Sequence, residues 1–143
     1  MPLPGWVAGG RLSDLFPQPV ILMPQLHLEY SANLRDLDTD KALLRLNSAL
    51  VASGQFGDEV DIKSRAVAHQ SFRVGIAPVE RAFVHVKLAL LSGRSPEIKR
   101  ELSASLLEAL KEVLVVPAGI DTQVCVEILD IDRDSYSKVR FPA

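Results

Sequence analysis

The hydrophobic and polar positions from residue 25 onward form a pattern that occurs twice along the chain. In the first occurrence, apolar and polar residues alternate over Gln25 to Tyr30, which predicts a half-buried strand. A helix is then predicted to begin after Asp38 or Thr39, either of which can cap it, and Gly54 marks its end. A second strand is predicted from Val60 to Ala68. The apolar stripe of this helix consists of Leu43, Leu46, Leu50 and Val51.

The second occurrence begins with a long predicted strand, Arg81 to Leu91. It has apolar residues on both faces, as expected of a strand that is covered from two sides. Ser95 suits the N-cap of a following helix and Pro96 its first position, while Pro117 stops it. Gln123 to Ile131 is the fourth predicted strand, and the polar tail beyond it is expected to wrap or fray. The buried face of the second helix is formed by Ile98, Leu102, Leu106, Ala109, Leu110 and Val113.

These tandem units predict an α/β (α+β) fold. Two β-α-β units in sequence make a four-stranded sheet with two helices on one face, joined by right-handed crossovers. The opposite face of the sheet then lacks cover. We expect it to carry too many apolar side chains to remain in water, so self-association through that face is predicted.

Composition narrows the classes of partner. The sixteen basic and eighteen acidic side chains are interspersed and give a net charge of -2, so no basic stripe for nucleic acid is present. The single cysteine, Cys125, lies in an apolar run and is predicted to be a buried strand thiol. Because the chain has one cysteine, an intrachain disulfide is excluded, and this fits a reducing, cytoplasmic location. The three histidines, His27, His69 and His85, lack metal-ligand spacing, and His85 is predicted to be a hydrogen-bonded core or interface residue.

Residues 1–22 differ from the rest of the chain. They hold four of the nine prolines, three of the eight glycines and the only tryptophan. The run Val20 to Met23 is too short for a signal peptide or a membrane span, so no membrane partner is expected. We interpret this segment as an N-terminal extension, flexible or an artefact of an upstream start, before a domain that spans residues 23–143.

Three cationic residues are candidates for binding an anion. Arg94 lies between a strand end and a helix N-terminus, where free N–H groups and the helix dipole favour negative charge. The alternative is a loop arginine that pairs with Glu97. Lys63 and Arg65 share one side of a strand and need an anionic partner there. That partner is either a ligand or carboxylates of a neighbouring subunit.

Four sequence blocks resemble one family. The blocks are Met23 to Leu34, Ile62 to Arg65, Ala82 to Val86 and Ser92 to Ser95. Together they are similar to 5-carboxymethyl-2-hydroxymuconate isomerases, which belong to the tautomerase superfamily along with 4-oxalocrotonate tautomerase. The resemblance covers nearly all of residues 23–141.

The resemblance implies a tautomerase-like homotrimer that uses no cofactor. Members of this isomerase family isomerise a muconate-type acid in homoprotocatechuate degradation, a branch of aromatic catabolism. The resemblance implies that Pro24 is the catalytic base, that Arg94 binds a carboxylate or stabilises the enolate, and that Lys63 is the better ligand candidate for a di- or tricarboxylate substrate. Arg65 is a second substrate-binding candidate from its place on the strand, with an ion-pair network at a subunit interface as its alternative. Lys63 stands where the family has an arginine. The lysine keeps the positive charge but lacks the two-pronged guanidinium that binds a carboxylate in a bidentate way.

The position of Pro24 leaves alternatives open. A proline that becomes the first residue carries a secondary amine that can act as a base, whereas an internal proline carries only an amide nitrogen. The activity is therefore conditional on a free Pro24. The competing hypotheses are a non-catalytic trimeric scaffold or ligand-binding protein with a masked proline, and a related proton-transfer reaction such as decarboxylation or hydration.

Overall fold

A computed structural model describes residues 23–143 of the chain, so the predicted extension of residues 1–22 lies outside the described residues. The strands are β1 (Gln25–Ser31), β2 (Lys63–His69), β3 (Arg81–Leu91) and β4 (Asp121–Ile131). The helices are α1 (Thr39–Ala52) and α2 (Pro96–Val113), and a short 3₁₀ turn spans Glu59–Asp61. The predicted fold class, two helices on a four-stranded sheet, is confirmed.

The sheet has the strand order β2-β1-β3-β4. Each β-α-β unit contributes a parallel pair, with Gln25 opposite Lys63 in the first and Arg81 opposite Asp121 in the second. The two units meet through the antiparallel pairing of β1 and β3, in which Gln25 lies opposite Ala89. The starts of β1 and β2 and the ends of β3 and β4 therefore lie at one end of the sheet.

Local signals explain where the helices begin. The Asp38 side chain accepts a hydrogen bond from the backbone N–H of Lys41 and caps α1. Ser95 does the same for Ile98 at the start of α2, where Pro96 occupies the first turn. Gly54 follows α1 with a φ of 73°, a conformation that glycine adopts without strain.

The core lies between the helices and the covered face of the sheet. The inward residues of β3 alternate without exception, and each is buried: Ala82, Val84, Val86, Leu88 and Leu90. They pack with the buried stripes of the helices, which include Leu46 and Leu50 on α1 and Leu106 and Leu110 on α2. Val51, predicted to be in the first stripe, is 48% exposed, and Ala42 and Ala49 are buried on that helix instead.

The second strand begins later than predicted. Asp58 accepts a hydrogen bond from the backbone N–H of Val60, and this contact stabilises the 3₁₀ turn that precedes β2. Residues 60–62 are therefore outside the strand, which starts at Lys63.

The open face of the sheet carries both polar and apolar side chains. Because side chains alternate along each strand, His27, Glu29, Arg65 and Lys87 lie on this face, which points away from the helices. Apolar residues share this face: Val67 lies opposite Glu29, and the pairs Ala89–Leu129 and Leu91–Ile131 are neighbours at one end of it. Cys125 is also exposed on β4, so the prediction of a buried thiol is wrong. The error arises because valines that flank this cysteine point to the other face of the strand.

A core substitution tests this packing. Leu106 is fully buried, so Leu106→Ala should lower the free energy of unfolding by about 2–5 kcal/mol through lost contacts and a cavity. Leu44→Ala is the matched control, because Leu44 is 70% exposed and its loss should change stability by less than about 0.5 kcal/mol. Urea denaturation of both variants checks the prediction, and equal effects would contradict the assignment of the core.

Candidate functional site

One end of the sheet brings together most of the predicted site residues. The carbonyl of Pro24 accepts a hydrogen bond from the backbone N–H of Lys63 at 3.3 Å, which joins the starts of β1 and β2. The N–H of Ser92 donates to the carbonyl of Ile131 at 3.0 Å, which joins the ends of β3 and β4. Because Gln25 lies opposite Ala89, Pro24 is next to the end of β3 and close to the loop that carries Arg94.

Pro24 lies in the interior at this end of the sheet. Both it and the preceding Met23 are almost completely buried. Within this chain its nitrogen forms the peptide bond to Met23, so it is an amide and has no lone pair available for proton transfer. A basic nitrogen at this position would require a chain that begins at Pro24.

Arg94 is held in the loop between β3 and α2. Gly93 precedes it with a φ of 123°, in the region that glycine favours. The guanidinium donates to the carbonyls of Leu91 at 3.4 Å and Gln55 at 3.3 Å. Its central carbon lies 5.1 Å from the centre of the Phe56 ring, a cation–π contact.

The guanidinium of Arg94 retains capacity for an anion. Its Nε is buried and has no hydrogen-bond partner in the part of the chain that the structure describes. No carboxylate of residues 23–143 forms an ion pair with it, and Glu97, the alternative partner, is paired with Arg100 at 3.2 Å. Burial lowers the pKa of Arg94, and the charge of Arg133 lowers it further. A bound carboxylate would offset both effects.

Arg133 is a cation that the sequence did not single out. It follows β4, and its Nε and Nη2 both donate to the carbonyl of Ser92, at 3.1 and 2.9 Å. This contact fixes a second guanidinium beside the Arg94 loop. The only sequence signal was its place in a polar tail, which gives no indication of where the tail packs.

Lys63 lies on the wall of a cleft. The cleft has a volume of about 280 Å³ and is lined by Val60, Asp61, Lys63 and residues 138–141. The ammonium of Lys63 donates to the backbone carbonyl of Asp61. Burial lowers the pKa of Lys63, the charge of Lys138 lowers it further, Asp61 opposes the shift, and Arg65 adds a smaller lowering.

Arg65 lies on the same face of β2 as Lys63, because the two residues are two positions apart in the strand. It is exposed, and its guanidinium donates to the side-chain oxygen of Gln25 on the open face. The structure therefore brings Pro24, Lys63 and Arg94 to one end of the sheet, while Arg65 lies at the border between that end and the open face.

The three histidines lie on the open face and not at this site. His85 contacts Glu127 at 2.9 Å, which agrees with the predicted hydrogen-bonded histidine, and His69 lies 3.5 Å from Glu29. Within residues 23–143, no group of three or more His, Cys, Asp or Glu residues could hold a metal ion. In the same part of the chain, no helix is long and apolar enough to cross a membrane.

Comparisons with known proteins agree with this architecture. The model of the family described as 5-carboxymethyl-2-hydroxymuconate isomerase matches residues 24–138. A structure of a 5-carboxymethyl-2-hydroxymuconate isomerase from Deinococcus radiodurans is 28% identical, with a TM-score of 0.75 over 83% of this chain and 90% of that one. No curated protein has a significant match.

More distant structures share the fold. A 5-carboxymethyl-2-hydroxymuconate delta-isomerase is 19% identical, with a TM-score of 0.62 over 84% of this chain and 89% of that one. A fused 4-OT wild-type symmetric trimer is 18% identical, with a TM-score of 0.57 over 78% of this chain and 91% of that one.

Proposed function

This chain belongs to the 5-carboxymethyl-2-hydroxymuconate isomerase family, and on that premise we propose that it is a cofactor-free isomerase of a 5-carboxymethyl-2-hydroxymuconate-like acid. The observation that carries the proposal is the convergence of Pro24, Lys63 and Arg94 at one end of the sheet, inside the residues that the family model matches. We expect the reaction to move a double bond by proton transfer between two carbons of a conjugated acid.

Pro24 is the proposed base in a chain that begins at this residue. A free α-amino group has a reference pKa of about 7.7–8.0. Burial among apolar groups and nearby cations would disfavour the ammonium form and lower this pKa toward neutrality. Such an amine could remove a proton from one carbon and return it to another.

Arg94 and Lys63 are the proposed anion ligands. The buried, unpartnered Nε of Arg94 offers a donor to a carboxylate or to the oxygen of a developing dienolate. The ammonium of Lys63 is a point charge and lacks the bidentate geometry of a guanidinium. It therefore attracts a carboxylate without fixing the orientation of the carboxylate plane. We assign Arg65 a supporting electrostatic role at the border of the site, because its guanidinium is bound to Gln25.

A second candidate function is a non-catalytic ligand-binding protein or scaffold. The observation that favours it is the burial of Met23 and Pro24 together, with the proline nitrogen in a peptide bond. In that case the cationic site would bind an acid without converting it. A related proton-transfer reaction, such as decarboxylation or hydration, would use the same groups on a different acid.

We propose that the chain forms a homotrimer through the open face of its sheet. The fused 4-OT relative is a trimer of the same fold. The open face of this chain offers carboxylates and cations that could pair between copies, with the apolar Val67 among them.

The free chain end is the first test. A shortened chain that begins Met23-Pro24, with the methionine removed in the cell, should isomerise a dienol of the muconate class without added metal. The 143-residue chain should be slower by about 10²–10⁴-fold, because its Pro24 nitrogen is an amide. The reaction rate of each chain is measured by ultraviolet absorbance. The intact mass of each purified chain verifies which residue is its first. Equal activity would exclude Pro24 as the base.

Substitution of Arg94 is the second test, made in the shortened chain. Arg94→Ala should lower kcat/KM by about 10²-fold or more because a preorganised donor to the developing charge is lost. Arg100→Ala is the matched control, since Arg100 lies nearby in sequence and is paired with Glu97 on the helix surface. A small loss for Arg94→Ala, similar to that of the control, would contradict the assigned role.

The third test concerns assembly. Sedimentation equilibrium at micromolar concentration should give the mass of a trimer. Val67→Glu, on the open face, should favour the monomer, whereas Val51→Glu on α1 should not; the two valines are 51% and 48% exposed in the single chain. A monomeric parent chain, or equal effects of the two variants, would contradict an interface on the open face.

A further inference from the structure

The C-terminal segment returns to the end of the sheet that holds the candidate site. After β4 the chain has no further helix or strand, yet Lys138 Nζ lies 2.9 Å from a carboxylate oxygen of Asp61. Arg140 approaches Asp58 at 3.9 Å. These two contacts dock the tail against the 3₁₀ turn that precedes β2. Lys138 and Arg140 line the cleft of about 280 Å³ together with Asp61 and Lys63.

The cleft combines cations with apolar surface. Lys63, Lys138 and Arg140 contribute positive charge, while Val139 and Phe141 contribute apolar side chains that are 72% and 87% exposed. A conjugated acid has the complementary character, since its unsaturated chain is apolar and its ends are anionic. Lys63, which lines the cleft, also donates its backbone N–H to the carbonyl of Pro24.

The two ammonium groups share one acidic residue. Lys63 donates to the backbone carbonyl of Asp61, and Lys138 contacts the carboxylate of the same residue. Their mutual repulsion contributes to the lowered pKa of Lys63. One carboxylate therefore neutralises one of the two charges, and an anion in the cleft would compensate the other.

We propose that Lys138 is a carboxylate-binding residue and that, with Lys63, it binds one end of an unsaturated dicarboxylate in this cleft. The inference rests on the proposed function, and deepens it, because it assigns a residue that sets the substrate class. The pair of ammonium groups compensates for the missing bidentate fork at Lys63, and the apolar tail residues contact the unsaturated carbons. Asp61 competes with the ligand for Lys138.

The test is calorimetric binding to the full 143-residue chain, which does not require a free Pro24. The probes are trans,trans-muconate and sorbate, which share a six-carbon chain with two trans double bonds and differ by one carboxylate. Muconate should bind more tightly than sorbate. Lys138→Ala should weaken muconate binding about tenfold, as expected for loss of one charged hydrogen bond, whereas Lys138→Arg should retain it. Lys111→Ala is the matched control, because Lys111 is exposed on α2 and pairs with Glu108.

A variant of Asp61 separates ligand binding from simple anchoring of the tail. If Lys138 binds the ligand, Asp61→Asn should tighten muconate binding, because the competing carboxylate is removed while the backbone carbonyl remains. If the contact only anchors the tail, Asp61→Asn and Lys138→Ala should both weaken binding. That result would overturn the proposal, as would the absence of muconate binding or an unchanged affinity in Lys138→Ala. Failure of the shortened chain to turn over would instead count against the proposed function.

Discussion

The antiparallel pairing of β1 with β3 is the contact on which the candidate site depends. Each β-α-β unit taken alone places the start of its first strand beside the start of its second, because the two strands are parallel. Only the reversed pairing between units puts the start of β1 beside the end of β3, with Gln25 opposite Ala89. A shift of this register by one residue would turn the leucines of β1 out of the core. Packing of the core therefore also fixes the distance between Pro24 and the Arg94 loop.

Electrostatics at this end of the sheet are unbalanced in the described chain. Arg94 is bound to carbonyl oxygens and to the Phe56 ring, and Arg133 to the carbonyl of Ser92. Carbonyl dipoles and an aromatic face stabilise a guanidinium without neutralising its charge. The pKa values of Arg94 and Lys63 are both lowered, with burial as the largest cause. Perturbed pKa values of this kind cluster at functional sites, which makes this end of the sheet a candidate for one.

The elements were predicted well where local signals and tertiary packing agree. The bounds of β3 and the start of α2 follow directly from strict alternation and from the Ser95-Pro96 pair. The start of β2 was missed because a side chain, Asp58, stabilises a turn within an apolar run. Pattern alone also does not show which charged groups pair on the open face, such as His85 with Glu127. The contact of Lys138 with Asp61 spans 77 residues, and no periodicity could have indicated it.

The burial of Met23 and Pro24 also constrains when the proline nitrogen can become free. A protease cleaves a chain that it can surround, which normally means an exposed loop or a locally unfolded segment. The Met23–Pro24 bond is instead enclosed, and it adjoins a strand that is paired on both sides in the middle of the sheet. Removal of the preceding residues from the folded chain would require β1 to separate from its neighbours. The Met23–Pro24 bond is therefore far more accessible in a chain that has not yet folded than in the folded one.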